Sequence, residues 1–129
     1  EVEMLNTKTS SAIVAVTDVE RARNFYQNIL GLELNGEGMG GVMSFRTGES
    51  ELIVYPSRFA GTNRANAVVW GVGDDMDAIV AELKAKGVTF EHYPDDEWMQ
   101  RDGDIHLAGD VKLVWFKDPD GNILHLNSM

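Results

Sequence analysis

His92, His106 and His125 are the chain's three imidazoles, and with no cysteine present they are its only near-neutral bases and its only nitrogen ligands for a metal. His125 can serve as a metal ligand, as a general base, or as a hydrogen-bonding polar residue in a half-open cleft. His106 sits on a neighbouring predicted strand and would face the same cleft if the two registers agree, while His92 lies beside Tyr93 near a strand end. Three tryptophans carry most of the large aromatic surface. Trp70 alternates within an apolar strand and reads as core. Trp98, in the acidic loop Asp95-Asp96-Glu97-Trp98-Met99, either lies over a cleft mouth or folds back, and Trp115 can take either sheet face. Met43 and Phe45 share one face of a predicted strand and Ser44 and Arg46 the other, which gives a core strand or an apolar cleft wall with Arg46 or Arg58 offered to an anion. The chain has no Gly-x-Ser-x-Gly elbow and no His-Glu-x-x-His, and its glycines at 36, 38, 40 and 41 bracket a turn instead of opening a helix.

The elements that must position these residues belong to a small protein. A chain of 129 residues with 43% apolar content supports a single domain with one or two modest cores. Its 11 basic and 21 acidic residues leave a net charge of -10, which repels a phosphate backbone and excludes general nucleic-acid binding. A cationic ligand suits that balance, although net charge by itself serves solubility. The apolar runs Ala12 to Val16 and Ala67 to Val72 fall far short of the ~20 residues that cross a bilayer. A soluble protein is expected, and the lack of cysteine favours the cytoplasm.

Residues 11 to 16 read as a buried strand, and Asp18 follows as an N-cap whose carboxylate accepts from the first free amides of a helix. Val19, Ala22, Phe25, Tyr26 and Ile29 make one apolar stripe, and Gly31 supplies the C-cap. From Ala65 the pattern returns, with a strand at 67 to 72, Asp74 or Asp75 as cap, a helix carrying Met76, Ile79, Val80 and Leu83, and Gly87. An offset of 56 carries Val16 onto Val72 and Gly31 onto Gly87, but 57 fits the helices better, so the second helix should be rotated or start one residue late. Behind each helix come strands at 32 to 36, 41 to 47 and 51 to 55, then 88 to 93, 104 to 108, 111 to 117 and 123 to 127. Asp118-Pro119-Asp120-Gly121 has the chemistry of a type I turn, and Pro94 to Gly103 reads as a longer loop.

Two β-α-β-β-β units, with Asp18-Val19-Glu20-Arg21-Ala22-Arg23-Asn24-Phe25-Tyr26 after the first strand and Trp115-Phe116-Lys117-Asp118-Pro119-Asp120-Gly121-Asn122 before the last, resemble the vicinal oxygen chelate superfamily of glyoxalases, bleomycin-resistance proteins and extradiol dioxygenases. The likeness spans about residues 9 to 128. It implies an α+β fold of tandem modules, about 9–55 and 66–128 with a linker at 56–65, whose curved mixed sheets enclose concave clefts with helices on the outer face. It also implies that enzymatic members hold a divalent metal in the cleft through about three or four His, Gln or Glu ligands and use it as a Lewis acid.

Matched residue by residue, those positions fall on Ser11, on a residue near Leu52 with Glu51 adjacent and Glu49 behind it, on Ala67 and on His125. Glu51 would serve only with a register one residue different. Ser11, Leu52 and Ala67 cannot replace imidazole or carboxylate, so the first reading is a metal-free protein holding a small molecule in its cleft. The second module is the better place, with His125, His106, Trp98 and Trp115, while Met43, Phe45 and Arg46 furnish the first. The second reading is a metal-dependent lyase, isomerase or dioxygenase of the glyoxalase type, with a rearranged site using His125 and His106 or a nearby Glu. A fold that only assembles with a partner is a third. The resemblance also implies a homodimer that completes the clefts.

Overall fold

The computed structural model describes residues 4–129. The first module runs β1 (Ala12–Val16), α1 (Val19–Arg23), β2 (Glu33–Glu37), β3 (Met43–Thr47) and β4 (Ser50–Pro56), with sheet order β1-β4-β3-β2. The second runs β5 (Asn66–Gly71), α2 (Met76–Ala85), β6 (Gln100–Asp102), β7 (Ile105–Ala108), β8 (Val111–Lys117) and β9 (Ile123–Asn127), with order β5-β9-β8-β7-β6. In each sheet the first strand pairs in parallel with the last and the remaining pairs are antiparallel, so the same α+β pattern occurs twice, with β6 as an added edge strand in the second.

Strand alternation divides each sheet into a helix face and an open face. Val14, Val16, Met43, Phe45, Leu52 and Val54 pack under Ala22, Phe25 and Tyr26, and Val114, Phe116, Leu124 and Leu126 pack with Met76, Val80 and Leu83. The two sets merge into one core, in which burying a single side chain such as Phe45 is worth roughly 2–3 kcal/mol. The opposite faces carry apolar side chains that remain uncovered, among them Ile13 at 59% and Val69 at 58% exposure.

Asp18 caps α1 as its sequence context requires, its Oδ1 accepting from the Arg21 amide at 3.0 Å. The helix continues as a π-helical segment, Asn24–Ile29, whose wider turn is closed by the Leu30 amide donating to the Phe25 carbonyl at 2.9 Å. α2 begins at Met76, 57 residues after Val19, because the tight turn Gly73–Asp75 precedes it.

The Asp118 turn joins the modules. Its backbone closes with the Gly121 amide on the Asp118 carbonyl at 3.0 Å, and Asp118 Oδ1 accepts the amides of Asp120 and Asn122. The other carboxylate oxygen accepts the Tyr26 hydroxyl at 2.6 Å and one Asn122 amide proton at 2.8 Å, while Asn122 Nδ2 also donates to the Ala15 carbonyl at 2.7 Å. Burial, reinforced by the Asp118 charge, pushes the Tyr26 hydroxyl pKa far up and keeps it a donor. The linker touches the same turn: a Cβ on Gly61, at φ +75°, would stand 2.0 Å from the Asp120 carbonyl oxygen, so only glycine fits.

Residues 88 to 93 do not form the expected strand. Their segment lies beside the C-terminal half of β8, with one bridge between Phe90 and Phe116 and the Glu91 amide on the Trp115 carbonyl at 2.8 Å. It then leaves the edge, because the Tyr93 amide donates to His106 Nε2 at 2.9 Å instead of to a ladder carbonyl and Pro94 has no amide to give. The edge strand is β6, inside the stretch expected to be loop.

Candidate functional site

Four strands build the open face of the second sheet. Trp115 on β8 stands directly opposite His125 on β9, His106 on β7 opposite Leu113 on β8, and Val69 on β5 beside His125. Opposed residues share a face, so Val69, His125, Trp115 and His106 form one stripe across the sheet. The Trp115 and His125 rings stack with centroids 4.7 Å apart and 21° between planes. His106 meets Trp115 edge-on at 5.1 Å, and Tyr93 closes the far end at 5.1 Å from Trp115 and 5.7 Å from His106.

Hydrogen bonding fixes the histidine tautomers. His125 Nδ1 lies 3.0 Å from the Val114 carbonyl, which only accepts, so Nδ1 carries the proton and Nε2 keeps its lone pair. His106 Nε2 accepts the Tyr93 amide, so its proton sits on Nδ1, which is buried with the Leu113 carbonyl near the ring but without a well-formed hydrogen bond. Desolvation lowers both pKa values, against opposing backbone carbonyls of Leu113 at His106 and Val114 at His125. The stripe is thus a neutral aromatic surface, with His106 fully buried and His125 only 7% exposed.

Sequence reasoning brought His106, Trp115 and His125 to one module, and the structure brings them to one face. Tyr93 joins them, and its place beside His92 at a strand end is its only signal in the sequence. Trp98 is 77% exposed on a loop pinned by Asp96, whose Oδ1 accepts the amides of Trp98 and Met99, and its ring stacks on none of the cluster. Met43 and Phe45 are core side chains under α1, because period-two alternation turns them away from the open face that Ser44 and Arg46 share. Arg46 lies in the other module, paired with Glu33 at 2.7 Å. At the rim of the second sheet His92 contacts Asp104 at 2.8 Å, and Lys84, also 2.8 Å away, is the main reason the Asp104 pKa falls.

The sequence profile of the Glyoxalase/Bleomycin resistance protein/Dioxygenase superfamily matches residues 8–126. The chain belongs to this superfamily. No curated protein sequence matches it significantly. Among solved structures this glyoxalase-superfamily chain resembles FosX, the fosfomycin resistance protein of Listeria monocytogenes, with TM-score 0.71 and 15% identity over 94% of this chain and 92% of that one. An integron cassette protein from the mobile metagenome of the Halifax Harbour sewage outfall has TM-score 0.69 at 19% identity, covering 95% and 99%. A glyoxalase/bleomycin resistance protein from Streptomyces sp. CB03234 has TM-score 0.61 at 24% identity, covering 92% and 99%. At these identities the likeness establishes the fold alone.

The metal that some superfamily members hold can be tested against these side chains. Leu52 is fully buried on the helix face, so the residue matching His125 in the first module is not Leu52. It is Ile53, which pairs with Ile13 and Ser44 as His125 pairs with Val69 and Trp115. Glu51 does reach the open face, two residues before Ile53 on β4, where it accepts from Asn35 Nδ2. Ser11, Ile53, Ala67 and His125 therefore offer one ligand type among four positions, and no group of three His, Asp or Glu side chains among the described residues is placed to hold an ion. The residues do not fit the metal.

Proposed function

We propose that this glyoxalase-superfamily chain binds a small, planar, partly apolar molecule on the open face of its second sheet, without a metal. The observation that carries this reading is the unbroken stripe of Tyr93, His106, Trp115 and His125 beside positions that cannot ligate. Rings on a sheet face offer flat apolar contact, and the free Nε2 of His125 offers one acceptor to orient a ligand donor. The net charge of -10 adds attraction for a cationic ligand, which weakens as salt is raised. Val69 and Ile13 extend the surface with uncovered apolar area that a second copy of the chain would close into a cleft.

Ligand binding to the folded state raises apparent stability by mass action, so thermal shift in the presence of EDTA tests the reading. The probes are bleomycin, the aromatic cation acriflavine and S-hexylglutathione. At least one should raise the midpoint, and His125→Ala and Trp115→Leu should each weaken it by roughly tenfold in affinity, about 1.4 kcal/mol. A shift that survives both substitutions would place the ligand elsewhere.

A further inference from the structure

The face of the second sheet opposite the histidine stripe borders a separate cavity. It occupies about 350 Å³ at the junction of the modules, walled by Leu30 and Leu32 beyond the first helix, Ile79 and Leu83 on α2, and Trp70 and Phe116 on the second sheet. Alternation keeps it apart from the site described above: Phe116 and Leu126 face it, whereas Trp115 and His125 point the other way. Its volume is that of a small-ligand pocket, and its wall is mainly apolar, with Arg46 and Thr47 as its polar side chains and a mouth open to solvent.

We infer that this cavity is a second ligand site, for an uncharged and mainly apolar molecule carrying one carbonyl or hydroxyl oxygen. The polar group that selects that oxygen is Thr47. Its Oγ1 accepts the Trp70 indole N–H at 2.7 Å, and among the described residues no acceptor takes its own hydroxyl proton. A ligand oxygen at the cavity wall completes that hydrogen bond. Arg46 at the rim does not call for an anion, because Glu33 already holds its guanidinium at 2.7 Å and the molecule as a whole carries -10. An uncharged ligand enters without losing ionic solvation, the cost an anion would meet against the leucine, isoleucine, tryptophan and phenylalanine side chains of the wall.

Trp70 is a built-in reporter, since its indole N–H lies in the wall. Two probes share one hydrocarbon cage and differ in charge: adamantan-2-one and adamantane-1-carboxylate. In nitrogen-15 correlation spectra of the whole chain, with the Trp70 indole signal assigned through Trp70→Phe, the ketone should shift that signal saturably. The carboxylate should bind roughly tenfold more weakly or not at all. Ile79→Phe fills the cavity and should weaken the ketone by about tenfold or more, with Ile79→Met as a milder filling that moves affinity the same way should Phe unfold the chain. Thr47→Val should cost about fivefold, the worth of one neutral hydrogen bond, and Thr47→Ser little. His125→Ala should leave ketone binding unchanged. Absence of a saturable Trp70 shift, equal binding of the two probes, or a shift indifferent to filling at Ile79 would overturn the inference without touching the reading of the open face.

Discussion

His106 is wholly buried, gives its Nε2 lone pair to the Tyr93 amide, and leaves Nδ1–H without a well-formed hydrogen bond, so a second proton on this ring would bring a charge into the sheet with no anion to receive it. Its pKa and that of His125 are accordingly lowered in the fold. As pH falls through about 6.5 the unfolded chain takes up protons that the native state refuses. The contribution of these rings to stability is therefore present above that pH and is lost progressively below it, down to their folded values. Urea unfolding should give a lower midpoint at pH 5.5 than at pH 7.5, and His106→Gln, which keeps an acceptor for the Tyr93 amide, should narrow the difference. Asp104 titrates in a separate window, because its lowered carboxylate pKa costs stability only at more acidic pH. Equal midpoints at the two pH values would show that the buried imidazoles are not held neutral. The same neutral state matters for binding, since a cationic ligand would be repelled by protonated rings.

Among the elements, the tyrosine of the first helix and the turn between the last two strands form the polar latch between modules. Tyr26→Phe removes one hydrogen bond to a buried carboxylate and should cost about 1.5–3 kcal/mol. Asp118→Ala strips the same partner and also the acceptor for two turn amides, and it should cost more than Tyr26→Phe. Chemical denaturation of both variants checks the order, which a merely local turn defect would reverse. The turn, the cap at Asp18, the repeat and the one-residue delay of α2 were legible in the sequence because each rests on local chemistry or on the offset between copies. The loss of a strand at 88 to 93 was not, since it depends on a distant histidine accepting an amide that a ladder would otherwise use. Alternation also gave the two faces of β3 and β4 without saying which one a helix covers. That left Met43 and Phe45 as cleft candidates and put the position matching His125 at Leu52 when the pairing of β4 places it at Ile53. His106, Trp115 and His125 were foreseen as candidates in one module because their strands were. Tyr93 depended on where the chain leaves the sheet edge, and Trp98 on a loop whose hydrogen bonds no period encodes.

At the scale of the whole molecule, we propose that a second copy of the chain covers the open faces. Ile13 and Val69 lie more than half exposed on β1 and β5, and the proposed pairing with another copy would bury them. Light scattering should give a mass of twice 14.3 kDa, and Val69→Lys should move it toward one chain. A monomer at micromolar concentration would leave the second sheet as a shallow surface and not a closed cleft. The proposed recognition dispenses with a metal, because Ser11, Ile53 and Ala67 stand with His125 where three or four ligands would be required. Elemental analysis of the purified chain after incubation with Zn, Ni, Mn or Fe and desalting tests this directly. Far less than one ion per chain is expected for every metal; close to one ion per chain, lost in His125→Ala, would contradict recognition without a metal.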